Sequence, residues 1–221
     1  MATRSSNKRS QLAIALLIFL TPVLYWQINK IGFVPPASYF ITRDGKDNSS
    51  KLPPTVELLN YERSLEQIVS EPIDKSRTAI LIDKSNYRLT LYYQDRAVKS
   101  YPIVLGKNPQ GDKRREGDFK TPEGIFKVRD LYPHPQWSRF IWLDYPNRES
   151  WRRHLSAKQK GDIPLHSTVG SEIGIHGVPQ NGDRLIDERS NWTWGCISLK
   201  NRDVDELYSA IQIGTTIEIL P

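Results

Sequence analysis

The sequence predicts a mainly β domain with a few helices, set behind a single N-terminal membrane helix. Three observations carry that expectation. Fifteen Pro and thirteen Gly in 221 residues punctuate the chain too often for a helical bundle. From Thr78 onward the apolar residues come in short runs bounded by turn residues, as strands do. Residues 12–28 carry no charge and follow Arg4, Lys8 and Arg9.

The stretch 12–28 meets the lower limit of the roughly 17–25 residues that span a bilayer as a helix. Basic residues favour the cytoplasmic flank, so the N-terminus is predicted inside and the body outside the cell membrane. A cleavable signal peptide would need small residues near its end, where this chain has Leu24-Tyr25-Trp26. Residues 1–30 therefore read as a short tail and a single-pass signal anchor. Residues 31–77 read as a linker: Pro35-Pro36 and Pro53-Pro54 flank a polar run, and Leu58, Tyr61, Leu65, Ile68 and Val69 then recur at helical spacing. Strands are predicted over 78–83, 87–93, 99–105, 124–128, 139–143, 172–175 and 215–220. Asn201 is the expected cap of a helix with Val204, Leu207, Tyr208 and Ile211 on one face. Residues 78–221 thus make one domain.

The net charge of +6 does not mark a nucleic-acid partner. Residues 1–43 hold five basic residues and no acid, which leaves 26 basic against 25 acidic residues in 44–221. A single Cys excludes an internal disulfide framework and a Cys-based zinc site, and no histidine pair has the spacing of metal ligands.

The chemistry gathers at that one cysteine, Cys196. Gly195 before it permits close approach of a substrate and open main-chain N–H groups. His176 lies upstream in Gly174-Ile-His-Gly177, and the turn-rich 179–183 lets the chain fold back to bring the two together. A thiol near a base is a nucleophile; a lone buried Cys is otherwise an inert core residue. Among the other histidines, His166 is a candidate for the substrate groove. His134 reads as a loop residue and His154, beside Arg152 and Arg153, as part of a solvated helix face. Lys107, Lys113, Arg114, Arg115 and Lys120 read as a solvated basic loop or as contacts for anionic groups. Tyr132, Trp137, Trp142 and Trp194 are candidate groove walls.

Ile173-Gly-Ile-His-Gly177 followed by Asn191-Trp-Thr-Trp-Gly-Cys-Ile197 resembles the His-Gly and Ser/Thr-x-Gly-Cys signature of the L,D-transpeptidase (YkuD-domain) family. Gly117-Asp-Phe-Lys-Thr-Pro-Glu-Gly-Ile-Phe126 resembles the family's Thr-Pro-x-Gly-x-Phe/Tyr segment. The resemblance implies a mixed β-sheet, β-sandwich-like domain that acts on peptidoglycan stem peptides without metal or cofactor. It further implies Cys196 as nucleophile, His176 as base, the Gly177 carbonyl as its orienting partner, and the Gly195 and Cys196 amides as oxyanion donors. Thr193, Trp194, Ser198 and His166 are the candidate substrate-binding residues, and Thr193, which matches the family's Ser/Thr, is also expected to shape the turn before the nucleophile. Ser198 departs from the family, in which many members carry Arg or Asn there. The activity expected is transpeptidation through a thioester. A thiol hydrolase of stem peptides or wall-attached protein is the first alternative, and a silent wall-binding module the second.

Overall fold

The computed structural model describes residues 57–221; the predicted membrane helix over 12–28 lies outside them. Eight strands form one sheet in the order β3-β2-β1-β8-β4-β5-β6-β7. β1 (Thr78–Asp83), β2 (Arg88–Tyr93) and β3 (Arg96–Pro102) make an antiparallel meander. β8 (Thr216–Leu220) returns from the C-terminus to lie parallel to β1.

The long β4 (Gly124–His134) joins the two halves. Its residues from Gly124 to Lys127 pair with β8, and those from Val128 to His134 pair with β5 (Ser138–Leu143). Then come the short β6 (Gly174–His176) and β7 (Ile197–Ser198). Beyond β3 the chain runs on through residues 103–106, bridging Val104 to Ser198 and Gly106 to Thr193. The far ends of the sheet are thereby brought together. The expected sandwich is realised as one curled sheet, because a single strand serves both halves.

Alternation along the strands sends Ile80, Ile82, Leu89, Leu91, Phe126, Val128, Ile141, Leu143, Ile217 and Ile219 inward. Each such side chain stabilises the fold by about 1.5–3 kcal/mol through burial. The helix α4 (Asn201–Ala210) closes the core with Val204, Leu207 and Ala210. Among the described residues every member of this core falls between Leu65 and Ile219, so the compact unit Leu52–Pro221 has a core of its own, as a domain that can fold by itself does.

Four local expectations are corrected. The amphipathic segment near residue 60 forms only a four-residue helix, α1 (Leu65–Ile68), capped by Ser64. It packs on the domain rather than standing off it: Leu65 is buried, Tyr61 donates to Asp203 at 2.9 Å, and the Ser100 amide donates to Leu59 at 2.9 Å. The strand expected from 172 begins at Gly174, because Glu172 has φ +59 and breaks the extended run. α4 is capped by Lys200, one residue before the expected Asn201.

The last correction concerns His154 on α2 (Arg148–Lys160), a helix for which the sequence offers little apolar periodicity. The helix starts where Asn147 Oδ1 accepts the Ser150 amide at 3.0 Å and stops at Gly161 in the left-handed conformation. Arg153 ties it to Asp112 at 2.9 Å. His154 is on this helix but buried rather than solvated, its Nδ1 2.6 Å from the Arg114 carbonyl. A short four-residue helix, α3 (Arg184–Asp187), lies between β6 and β7.

Candidate active site

β6 and β7 are parallel neighbours, with Ile175 opposite Ile197 and His176 opposite Ser198. Cys196 immediately precedes β7 and His176 ends β6, so the two residues belong to adjacent elements of the sheet. The segment between them, with its turn at Pro179 to Gly182 and with α3, folds back as the sequence suggested.

His176 is oriented by a carbonyl. Its Nδ1 lies 2.7 Å from Gly177 O, an acceptor, so Nδ1 carries the proton and Nε2 keeps the lone pair. Ser198 Oγ donates to the same oxygen at 3.2 Å. The imidazole packs against Trp137 at 4.4 Å between ring centres, Phe140 at 5.8 Å and the edge of Trp192 at 5.5 Å. Gly174 makes room for this cluster, since a Cβ there would meet the Phe140 ring at 2.5 Å. Burial pushes the His176 pKa down to about 4, outweighing the hydrogen bond to Gly177, which works in the opposite direction.

Cys196 is half-buried and its thiol is free. Its Sγ is 3.5 Å from the Glu172 carbonyl. Burial raises the thiol pKa to about 11, with the Gly174 amide and Lys113 pulling it down and Glu172 pushing it up. Gly195 has φ +137, and a Cβ there would sit 2.6 Å from the Lys120 carbonyl, so only Gly fits. Asn191 ties this loop to the sheet, accepting from the Leu105 amide at 2.8 Å.

The loop expected to be a solvated basic segment is instead folded around Asp118. That carboxylate accepts from Lys113 Nζ at 2.9 Å and from the amides of Arg114, Arg115 and Lys120 at 2.7, 3.0 and 3.0 Å. Burial works against its ionisation, but these donors together hold its pKa below the usual range. Lys113 is buried, and Lys120 presents its carbonyl to Gly195. Asp118 thus sets the wall against which the cysteine loop rests.

The structure places Gly195 and Cys196 in the segment entering β7 and His176 and Gly177 at the end of β6, and it redistributes the substrate-binding candidates. Thr193 is buried; its Oγ1 donates to Cys196 O at 2.7 Å and accepts the Gly195 amide at 3.2 Å. It therefore shapes the turn rather than touching substrate, and it occupies the Gly195 N–H expected to hold the oxyanion. Ser198 is fully buried and serves the Gly177 carbonyl, so it is a support for the histidine and not a substrate contact.

Trp194 is 74% exposed, its ring set edge-on to Phe119 at 6.0 Å, and is the candidate that faces solvent. His166 is exposed and makes no hydrogen bond, ion pair or ring contact among the described residues. His134 is no loop residue; it ends β4 and stacks on Trp137 at 4.3 Å. Phe140 and Glu172 were not singled out by the sequence, and Trp192 stood there only as part of the Trp192-Thr-Trp194 motif.

The curled mixed sheet thus carries a free thiol at the entry to β7 and a carbonyl-tethered imidazole at the end of the neighbouring β6. Residues 77–219 match the YkuD family, the L,D-transpeptidase catalytic domain, and the chain belongs to that family. It is 29% identical over 144 residues to a Bacillus licheniformis protein provisionally named L,D-transpeptidase YkuD, covering 64% of this chain and 65% of that one. A protein provisionally named L,D-transpeptidase YafK from Escherichia coli K12 is 26% identical over 152 residues, 66% of this chain and 50% of that one. Among solved structures, the helical cell shape determining protein Pgp2 from Campylobacter jejuni is 26% identical, with a TM-score of 0.46 over 64% of this chain and 46% of that one. The chain spans from half to about two thirds of the length of these curated relatives.

Proposed function

We propose that the protein is a cysteine-dependent L,D-transpeptidase that remodels peptidoglycan by acyl exchange on stem peptides, held outside the cytoplasmic membrane by its N-terminal segment. The observation that supports this reading is the position of Cys196 at the entry to β7, beside the β6 strand that ends at His176 with its Nδ1 tied to Gly177. In this reading His176 Nε2 takes the thiol proton as Sγ attacks the carbonyl of the third stem residue. The Cys196 amide receives the developing oxyanion, since the Gly195 amide is engaged by Thr193. The protonated imidazole then gives its proton to the leaving D-amino acid as the C–N bond breaks, and a thioester remains. An amine from a second stem, deprotonated by Nε2, attacks the thioester and releases the thiol, forming a new amide. Breaking one amide to make another needs no nucleotide, which suits an extracytoplasmic site.

The test incubates Leu52–Pro221, beside its Cys196→Ala form, with a disaccharide-tetrapeptide and follows protein and product masses. An adduct on Cys196, released D-amino acid and dimers are expected. Adduct and tripeptide without dimers would assign water as the acceptor. Absence of any adduct would overturn the thiol mechanism.

A further inference from the structure

The helix α2 lies outside the site just described, and its outward face is unlike the rest of the surface. Arg148, Trp151, Arg152, Leu155 and Gln159 are all exposed. Their spacing of three, four, seven and eleven residues puts them on one stripe of a helix. Trp151 is 47% and Leu155 52% exposed, a large apolar pair one turn apart. The inward face is occupied by buried His154 and Ala157, so the stripe is not the side that holds the helix to the domain.

Two further exposed apolar residues lie near the ends of the helix. Ile125, 45% exposed, lies beside the helix start, where Asn147 Nδ2 donates to its carbonyl at 3.0 Å. Leu165, 77% exposed, follows five residues after the last helical residue. Around the stripe the charge is predominantly basic. The helix carries Arg148, Arg152, Arg153, Lys158 and Lys160 against the single acid Glu149. Arg153 faces inward to Asp112, and Glu149 accepts from Arg152 and Arg153. Arg148, Lys158 and Lys160 therefore remain as cations without an acidic partner among the described residues.

We infer that the outward face of α2 is a membrane-surface contact that seats the domain on a bilayer rich in anionic phospholipid. An apolar ridge of Trp and Leu flanked by cations is the pattern of an interfacial helix: the ridge enters the headgroup boundary while the cations meet the phosphates. The charge complements a negative surface, and the apolar ridge selects a bilayer over a polyanion, which offers nothing for Trp151 and Leu155 to enter. The uncharged stretch at 12–28, read as an anchor, would hold the domain where such a surface is available. This contact is independent of the reaction proposed for Cys196.

The experiment uses Leu52–Pro221, which has its own core and lacks the 12–28 stretch that would bind membranes by itself. Partitioning is measured by co-sedimentation with phosphatidylglycerol:phosphatidylcholine (1:1) vesicles, with pure phosphatidylcholine vesicles, and on a dextran sulfate column. Binding to the anionic vesicles at least about tenfold above the neutral ones is expected, weakening as salt is raised. Trp151→Ser with Leu155→Ser should lower that binding about tenfold while dextran sulfate retention stays unchanged. Arg148→Ala with Lys158→Ala should lower it by a similar factor. Circular dichroism and the rate of Cys196 alkylation, unaltered in both variants, show that the fold is retained. Vesicle binding that survives the loss of Trp151 and Leu155 overturns the inference in favour of a polyanion, and no preference for anionic vesicles overturns it outright.

Discussion

The resting state of the thiol can be tested directly. The structure sets Cys196 at about 11 and His176 at about 4, both through burial, so at neutral pH the pair is uncharged. At pH 7.4 a thiol of pKa 11 is ionised to roughly one part in 4,000, against about one part in 14 for an ordinary thiol near 8.5. That is about a 300-fold deficit in thiolate. The more basic thiolate is the better nucleophile, which returns about tenfold. Iodoacetamide should therefore alkylate Cys196 about 30-fold more slowly than a free cysteine at pH 7.4, with the rate still climbing about tenfold per pH unit through pH 9. Mass spectrometry of the intact chain follows the adduct. His176→Gln should leave the position of the profile unmoved, because a neutral imidazole lends the thiol no charge. A rate that levels off between pH 6 and 8, together with loss of that plateau in His176→Gln, would refute the neutral pair and require a preformed thiolate–imidazolium.

Three further outcomes follow from the same geometry. Between pH 6.5 and about 4 the unfolded His176 binds a proton that the folded one refuses, so stability is present above pH 6.5 and drains away on acidification; urea unfolding at pH 7 and 4.5 should show a loss of about 2–3 kcal/mol that His176→Gln lacks. Asp118→Asn leaves buried Lys113 without its ion pair and loosens the turn against Gly195, and should cost about 3 kcal/mol in thermal or urea unfolding and slow acylation of Cys196. Trp194→Ala, at an exposed position, should change stability by less than about 0.5 kcal/mol while raising KM for the muropeptide; unchanged KM would remove Trp194 from the groove.

The strands were legible because alternation survives wherever one face of a sheet is buried: β1 and β8 show it residue by residue. Of α2 only a helix face around Arg152 to His154 was legible, since the helix is built from caps and ion pairs and buries only His154 and Ala157. Cys196 and His176 were singled out from their glycine neighbours. Their supports were not, because they come from distant strands and loops. Nothing local to Phe140 says that it fills the space left by Gly174, and nothing local to Asp118 says that it organises a turn under Gly195. Thr193 shapes the turn as the resemblance implied, but it and Ser198 are buried and spend their hydrogen bonds on the backbone, which their side-chain chemistry alone does not reveal.

The choice of a carbonyl as the partner of His176 follows from that burial. A carboxylate at Nδ1 would fix the same tautomer but would also stabilise the imidazolium, raising the pKa and drawing the proton off Cys196 before substrate arrives. The Gly177 carbonyl fixes the tautomer with no charge of its own, and desolvation then wins, which keeps base and thiol neutral at rest. Ser198 strengthens this arrangement, since a second donor on the carbonyl competes with the imidazole for its lone pairs and lessens what the oxygen can offer a charged ring. A guanidinium at position 198 would place a full charge near that oxygen and disfavour imidazolium still more. The neutral serine is thus compatible with a histidine that must become positive for part of each cycle, and it does so without charging the pair in advance. Ser198→Ala should accordingly raise the pKa of His176, read by the imidazole proton shifts between pH 3 and 7, while leaving the Nδ1–H tautomer in place.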